Sequence, residues 1–202
     1  LDDVRLVESL GVEIRTGVNV SKDLHADELL SEYDAIFVAI GLGGGSRLGV
    51  PGEVGAGVRA ALDFIRDIHE IPLENVSVGK KVLVIGGGNT AIDAVSQARR
   101  LGASSATLAY RRKEEQMNAY AFEVAQARAA DCRLIFEANP REVVRNDEGN
   151  LTGVRFTHAS SGMEWIEPCD QLLLAIGQPK QDQLLKCLFP ALELNARGCV
   201  LT

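Results

Sequence analysis

The sequence has no long hydrophobic run, no excess of positive charge and no closely spaced pair of cysteines. Because no stretch of about 18 apolar residues occurs, no segment is predicted to span a membrane. The formal net charge of −7 argues against broad contact with nucleic acid or anionic membranes, since both require clustered lysine and arginine. What is left is the composition of an ordinary globular protein, with 46% hydrophobic and 24% charged residues.

The four cysteines, Cys132, Cys169, Cys187 and Cys199, are scattered along the chain. None of them belongs to a C-x-x-C pair, so neither a redox-active disulfide nor a metal site is predicted. A chain of 202 residues can bury a sizeable core without disulfides. We therefore expect reduced thiols in a cytoplasmic protein.

The start of the sequence lacks an initiator methionine, a basic segment and an apolar signal core, so we interpret it as a piece of a longer chain. This first part is predicted to form a strand at 12–20, a helix at 25–33 and a buried strand at 34–41. Glycine and proline make residues 42–57 a loop. An amphipathic helix is then predicted over 58–70.

Strands and helices are predicted to alternate through the rest of the chain. The predicted strands are 81–86, 105–110, 133–138 and 171–177, and the predicted helices are 90–102 and 119–132. This alternation implies right-handed crossovers and a parallel sheet. Between 141 and 168 the apolar period changes to two, which predicts an antiparallel β-meander. The predicted fold class is therefore α/β and Rossmann-like, with a parallel sheet, helices and a meander.

A glycine-rich motif, G-x-G-x-x-A, follows the strand "KVLVIG" and opens the next helix. This context makes it a candidate dinucleotide loop rather than a chance match. Gly86 is expected to allow a tight turn, Gly88 to let the backbone approach a diphosphate, and Ala91 to let the helix pack closely on the strand. A βα turn that binds nothing is the alternative. The candidate cofactor-binding residues here are Gly86, Gly87, Gly88, Asn89, Thr90 and Ala91.

Two other features bear on the choice of this loop. Thr90 and Asp93 fit a capping box, so Asp93 is either a structural residue or a cofactor contact. A second glycine-rich turn, with Gly41, Gly43 and Ser46, also follows a predicted strand. Because Pro51 and further glycines stand where a helix would have to begin, this turn is not predicted to bind a dinucleotide.

The end of the second strand of the unit indicates which dinucleotide is bound. A loop selective for NAD carries an acidic residue there, which accepts the ribose hydroxyls. Here Arg111 and Arg112 occupy this position, and Glu114 and Glu115 come too late. Guanidinium groups suit a 2′-phosphate, although an isolated "RRK" is more often a solvated charge run. The predicted cofactor is NADP(H).

Five stretches, taken in order and spacing, resemble one known family. They are "YDAIFVAIG", "LGVPGE", "KVLVIGGGNTAIDA", "YRRKEEQM" and "LLLAIGQ". They are similar to the small subunit of bacterial glutamate synthase, and equally to the flavin-containing part of dihydropyrimidine dehydrogenase. The resemblance covers nearly the whole chain. It implies an FAD/NAD(P)-binding oxidoreductase in which hydride passes from NADPH to flavin.

The resemblance also implies a division of the chain. Residues 1–45 would be a remnant of the FAD-binding domain, 46–178 the NADP(H)-binding Rossmann-like domain inserted in it, and 179–202 the start of the returning FAD segment. The family's FAD fingerprint and its later Gly-Asp motif are absent. FAD is therefore expected in the full-length protein but not in this piece, which alone is expected to be inactive.

Site residues carried over from the resemblance extend the candidate list. Ala175, Ile176 and Gly177 would pass close to the nicotinamide. The family's Met-Pro-Ala is replaced by a sequence with Asn118 in the middle, so the loop beside the cofactor is expected to differ. No catalytic acid or base is assigned, because hydride transfer between two cofactors mainly requires their orientation.

These observations leave three functional alternatives. The first is the NADPH-binding part of a glutamate synthase small-subunit-like oxidoreductase, whose partners are NADPH, the rest of the FAD domain and a larger redox subunit or iron–sulfur domain. The second is the electron-input part of dihydropyrimidine dehydrogenase. The third is a Rossmann domain that senses NADPH without turnover. Dithiol enzymes similar to thioredoxin reductase are excluded by the missing C-x-x-C.

Overall fold

The computed structural model describes residues 2–20, 22–195 and 199–200. The chain forms two compact units, one made of Leu1–Leu42 with Lys180–Thr202 and the other of Gly43–Pro179. Apart from two short 3-10 turns, the elements in chain order are α1 (Asp2–Ser9), α2 (Ala26–Glu32), β1 (Val58–Ala60), α3 (Ala61–Glu70), β2 (Lys81–Gly86), α4 (Asn89–Arg100), β3 (Ser105–Ala109), α5 (Ala121–Ala129), β4 (Arg133–Ile135), β5 (Ala138–Arg145), β6 (Leu151–His158), β7 (Glu164–Pro168), β8 (Gln171–Ala175) and α6 (Asp182–Leu188).

The larger unit contains two sheets. The first has the strand order β1-β8-β2-β3-β4, and every pair in it is parallel. The second has the order β5-β6-β7 and is antiparallel. The predicted α/β class, with a parallel sheet and an antiparallel meander, is confirmed.

The central strand β2 shows why the parallel sheet forms here. Val82 and Val84 pack into the cluster that contains the helices α3, α4 and α5. Leu83 and Ile85 pack on the opposite face, together with apolar residues of the meander. A strand covered on both faces needs a continuous apolar sequence, and "KVLVI" supplies it. The unit therefore has three layers: helices, parallel sheet and meander.

Some element boundaries differ from the sequence-based expectations. Residues 58–60, predicted as the beginning of a helix, form the edge strand β1, and the helix begins at Ala61. The strand predicted at 133–138 ends at Ile135, because the chain turns there into β5. The helices α1 and α6 were not predicted.

The smaller unit differs more strongly from the sequence-based expectations. The predicted helix is confirmed as α2, but residues 12–20 and 34–41, predicted as strands, form none. Among them Phe37 is 93% exposed, so 34–41 is not a buried segment either. An extended segment becomes a strand only when a neighbouring strand pairs with its backbone. In the described part of this unit neither segment pairs with a strand, and Val20 forms an isolated bridge with Leu24.

Candidate functional site

A cleft of about 950 Å³ lies in the larger unit, at the carboxyl ends of three neighbouring strands. Its floor includes the last residues of β2 and β8 and the residues that follow β3. This edge of an open parallel sheet is where ligands bind in doubly wound folds. Most of the predicted site residues line it, namely Gly86, Gly87, Gly88, Thr90, Arg111, Arg112, Ala175, Ile176 and Gly177.

The three glycines of the candidate loop have different surroundings. A Cβ on Gly86 would lie 2.5 Å from the carbonyl oxygen of Ala175 and 2.9 Å from Cβ of Ala91. A Cβ on Gly87 would overlap the ring of Tyr110. A Cβ on Gly88 would have no protein atom within 4 Å. Gly86 and Gly87 are therefore needed for packing, whereas Gly88 leaves its backbone open to the cleft.

The helix α4 begins at the cleft. Its N-cap is Gly88, with φ −107° and ψ 178°, and its first turn contains no acidic residue. The free N–H groups and the positive end of the helix dipole thus lie beside the cleft without a neutralising carboxylate. Because the helix begins at Asn89, the capping box predicted at Thr90 and Asp93 does not form. Asp93 is exposed and does not line the cleft.

The segment that follows the arginine pair is bonded to the glycine loop. The backbone N–H of Asn118 donates to the carbonyl oxygen of Gly87 at 3.0 Å. The N–H of Tyr120 donates to Oδ1 of Asn89 at 3.1 Å. A proline at 118 would have no N–H to donate, so the departure from Met-Pro-Ala adds a hydrogen bond here. The side-chain oxygen of Asn89 is therefore occupied by the protein itself.

Arg111 and Arg112 follow β3 at one end of the cleft. The N–H of Ala138 donates to the carbonyl oxygen of Tyr110 at 3.0 Å, and that of Glu137 to the carbonyl oxygen of Arg112 at 3.0 Å. The backbone of the arginine pair is therefore fixed to the start of β5, while both side chains are exposed.

The cleft is lined by four arginines and no carboxylate, although the chain as a whole is acidic. Within residues 2–20, 22–195 and 199–200, none of the four forms an ion pair. Glu114 pairs instead with Arg128, at 2.7 Å, outside the cleft. Such unneutralised positive charge favours a polyanionic ligand. The four arginines are Arg47, Arg111, Arg112 and Arg141.

Ala175, Ile176 and Gly177 leave β8 on the other side of the glycine loop. Gly177 has φ 102°, a backbone conformation that favours glycine. Its carbonyl oxygen accepts the N–H of Ser46 at 3.0 Å. The turn after β8 is thereby joined to the glycine-rich segment before β1.

That segment is a part of the site that the sequence did not predict. As expected, no helix follows Gly43 and Ser46, yet Ser46, Arg47 and Leu48 line the cleft. The buried carboxylate of Glu53 accepts the backbone N–H groups of Leu48, at 2.9 Å, and of Gly49, at 2.8 Å. The glycines and Pro51 indicated a loop but not its direction.

Further lining residues were also missed: Gly45, Leu62, Ile85, Tyr110, Asn118, Asn139, Pro140, Arg141, Leu174 and Gln178. Apart from Leu62 of α3, they come from strand ends and loops, and only the folded sheet brings them together. Ile85, Tyr110, Leu174 and Gln178 lie inside the motifs quoted above, but those motifs did not single them out.

Two of the cysteines lie in the core. Burial raises the pKa of the Cys132 thiol. Burial, followed by the nearby charges of Asp170 and Glu167, raises the pKa of Cys169 to about 12. Both thiols are therefore protonated at neutral pH and are poor nucleophiles.

A family model described as "Pyridine nucleotide-disulphide oxidoreductase" matches residues 5–202. The glutamate synthase [NADPH] small chain of Escherichia coli is 33% identical, with 83% of this chain and 41% of that protein covered. The NADPH-Fe(3+) oxidoreductase subunit beta of Geobacter sulfurreducens is 33% identical, over 87% of this chain and 29% of that protein.

Among solved structures, the thioredoxin reductase of T. acidophilum matches with a TM-score of 0.62 and 22% identity, covering 77% of this chain and 48% of that one. This likeness shows the Rossmann-like fold. The chain spans less than half the length of each of these relatives. Within the described residues, no helix is both long and apolar enough to cross a bilayer.

Proposed function

Because this protein belongs to the pyridine nucleotide-disulphide oxidoreductase family, we propose that its cleft binds NADPH and that the chain is the NADPH-binding part of a flavin-dependent oxidoreductase. The observation that carries the proposal is the charge of the cleft, which has four arginines and no carboxylate. NADPH carries a diphosphate and a 2′-phosphate, and these need positive charge at two places.

The diphosphate fits the start of α4. Gly88 leaves room for close approach, and the backbone N–H groups of Gly87, Gly88, Asn89 and Thr90 would hold its oxygens. Ala91 is fully buried, so it takes part only through the packing of α4 on β2. A βα turn that binds nothing would not require the open space at Gly88.

The 2′-phosphate fits the arginine pair. Arg111 and Arg112 stand at the end of β3, where an acidic residue would otherwise accept the ribose hydroxyls of NAD. Their guanidinium groups would donate charge-assisted hydrogen bonds to the phosphate oxygens. The nicotinamide would then extend toward Ala175, Ile176 and Gly177 on β8.

When bound, NADPH supplies a hydride, and the protein's part is to orient the nicotinamide and exclude competing reactions. The sequence has no C-x-x-C pair, and Cys132 and Cys169 are buried, so these thiols do not fit a dithiol mechanism. We therefore propose that the acceptor is FAD in a longer protein, with residues 1–45 and 179–202 as parts of the FAD-binding domain and 46–178 as the NADP(H)-binding domain. The proposal places the protein in the cytoplasm, where thiols stay reduced.

The names of the relatives support a larger assembly. Glutamate synthase small chain and NADPH-Fe(3+) oxidoreductase subunit beta are both subunits by name. We propose a larger redox subunit or iron–sulfur domain as the electron acceptor, as in a glutamate synthase. Electron input to dihydropyrimidine reduction is the second candidate, since the same cleft would serve it.

An anaerobic titration of the full-length protein with NADPH separates an enzyme from a sensor. We expect bound flavin to lose its absorbance as NADPH is added. Binding of NADPH without flavin reduction would favour the sensing domain. No NADPH binding to the 202-residue chain, followed by the fluorescence of the nicotinamide, would overturn the proposal.

A further inference from the structure

The first strand of the meander contains an irregularity at the cleft. In the pairing of β5 with β6, Pro140 lies opposite Phe156 and Glu142 lies opposite Arg155, so Arg141 is the extra residue of a β-bulge. A bulge interrupts the ladder and changes the direction of a side chain, and bulges are frequent next to functional sites.

The bulged residue is held in place and directed to the cleft. Nε of Arg141 donates to Oγ1 of Thr157 at 3.0 Å. This bond fixes one nitrogen of the guanidinium group, and within the described residues Arg141 forms no ion pair. Arg141 lines the cleft together with Asn139 and Pro140. Its terminal nitrogens therefore remain for a ligand.

The bulge lies on the strand whose start is bonded to the backbone of the arginine pair. The strand β5 starts at Ala138, whose N–H donates to the carbonyl oxygen of Tyr110, and the preceding Glu137 donates to the carbonyl oxygen of Arg112. Arg141 is three residues further along β5. The glycine loop, by contrast, is bonded to residues 118–120.

We propose that Arg141 is a third specificity-determining residue, which binds the 2′-phosphate of NADPH together with Arg111 and Arg112. This rests on the proposed function of the cleft. The 2′-phosphate carries up to two negative charges and three terminal oxygens, and planar guanidinium groups can bind such oxygens in pairs. A guanidinium anchored through Nε offers its two terminal nitrogens in a fixed orientation.

The test compares 2′,5′-ADP with 5′-AMP, because the two probes differ only in the 2′-phosphate. In Arg141→Gln we expect the affinity for 2′,5′-ADP, measured by calorimetry, to fall about tenfold, the size of one hydrogen bond to a charged group. The affinity for 5′-AMP should stay unchanged. Thr157→Val removes only the hydrogen bond that holds Nε of Arg141. In this variant the affinity for 2′,5′-ADP should fall about threefold.

Arg155→Gln is the matched control. Arg155 pairs with Glu142, at 3.0 Å, and does not line the cleft, so its removal should leave both affinities unchanged. An unchanged affinity of Arg141→Gln for 2′,5′-ADP would overturn the inference while leaving the proposed function intact. An equal loss for both probes would place Arg141 at the 5′-phosphate and overturn it too. If neither probe nor NADPH binds the unaltered chain, the proposed function itself fails.

Discussion

The larger unit contains two glycine triplets of identical composition, residues 43–45 and 86–88, and the segments after them differ. The second triplet is followed by α4, whose first N–H groups face the cleft. The first is followed by a loop that the carboxylate of Glu53 holds through the N–H groups of Leu48 and Gly49. The residues after a glycine run therefore decide whether it leads into a helix at the cleft or into a loop that is bonded to the protein itself.

Each triplet contains crowded glycines and one open glycine. A Cβ on Gly45 would lie 2.5 Å from Cβ of Ala60, just as one on Gly86 would lie 2.5 Å from the carbonyl oxygen of Ala175. Gly44 and Gly88 are both open, with no atom within 4 Å of an added Cβ, but only Gly88 lines the cleft. Gly44 and Gly88 thus form a matched pair, one away from the cleft and one at it.

The largest effect is expected for Gly88→Val. A branched side chain would occupy the space of the diphosphate, so NADPH affinity should fall at least about a hundredfold, equivalent to ~2.7 kcal/mol. The free energy of unfolding should change by less than about 1 kcal/mol, because valine tolerates this backbone conformation. Calorimetry and urea unfolding measure the two quantities.

Gly44→Val is the control for this variant, since its added side chain also enters open space. It should bind NADPH normally. Normal binding by Gly88→Val as well would mean that the cofactor does not lie on the second triplet.

Gly87→Ala should act on stability. The new Cβ overlaps the ring of Tyr110, and overpacking of this kind costs about 1–3 kcal/mol. The midpoint of urea unfolding should therefore fall. The double variant with Tyr110→Ala should lose less stability than the sum of the two single changes, and exact additivity would show that the ring and the glycine do not interact.

Arg111→Gln separates the role of the second triplet from that of the arginine pair. Both dinucleotides carry a diphosphate, but only NADPH carries the 2′-phosphate. The NADPH affinity should fall about tenfold, the loss of one charge-assisted hydrogen bond, and the NADH affinity should not change. Arg128→Gln is the control, because Arg128 pairs with Glu114 outside the cleft. Equal losses for both dinucleotides would assign Arg111 to the diphosphate.

Glu53→Gln tests the first triplet and should have the smallest effect on binding. Its amide can accept one of the two N–H groups that the carboxylate accepts, so the free energy of unfolding should fall by about 1 kcal/mol. The loop with Arg47 would be less well held, and NADPH affinity should fall about threefold. A variant with full stability would show that Glu53 does not hold the loop.

Much of the larger unit could be predicted because each of its main strands and helices has an apolar pattern within one short stretch of sequence. The runs at β2, β3 and β8 are apolar on both faces, and each helix between them shows its own period. The strand β1 escaped prediction because it has three residues and runs directly into α3. Residues 12–20 and 34–41 were predicted as strands from composition alone, but pairing depends on a neighbour that composition does not provide.

The candidate site shows the same limit. Gly88 and Arg111 follow a motif whose spacing has a physical reason, so the sequence could indicate them. Arg141 reaches the cleft through a bulge, which depends on the register of β5 with β6. Ser46 reaches it through a loop whose course depends on Glu53. Neither register nor loop course is encoded in a short stretch of sequence.

We propose that the cleft selects NADPH by its 2′-phosphate. Calorimetric titration of the unaltered chain with NADPH and with NADH, at one ionic strength, tests it directly. We predict binding in a 1:1 ratio, with NADPH at least about tenfold tighter, the size of one charge-assisted hydrogen bond. Equal affinities, or tighter binding of NADH, would show that the cleft does not select the 2′-phosphate.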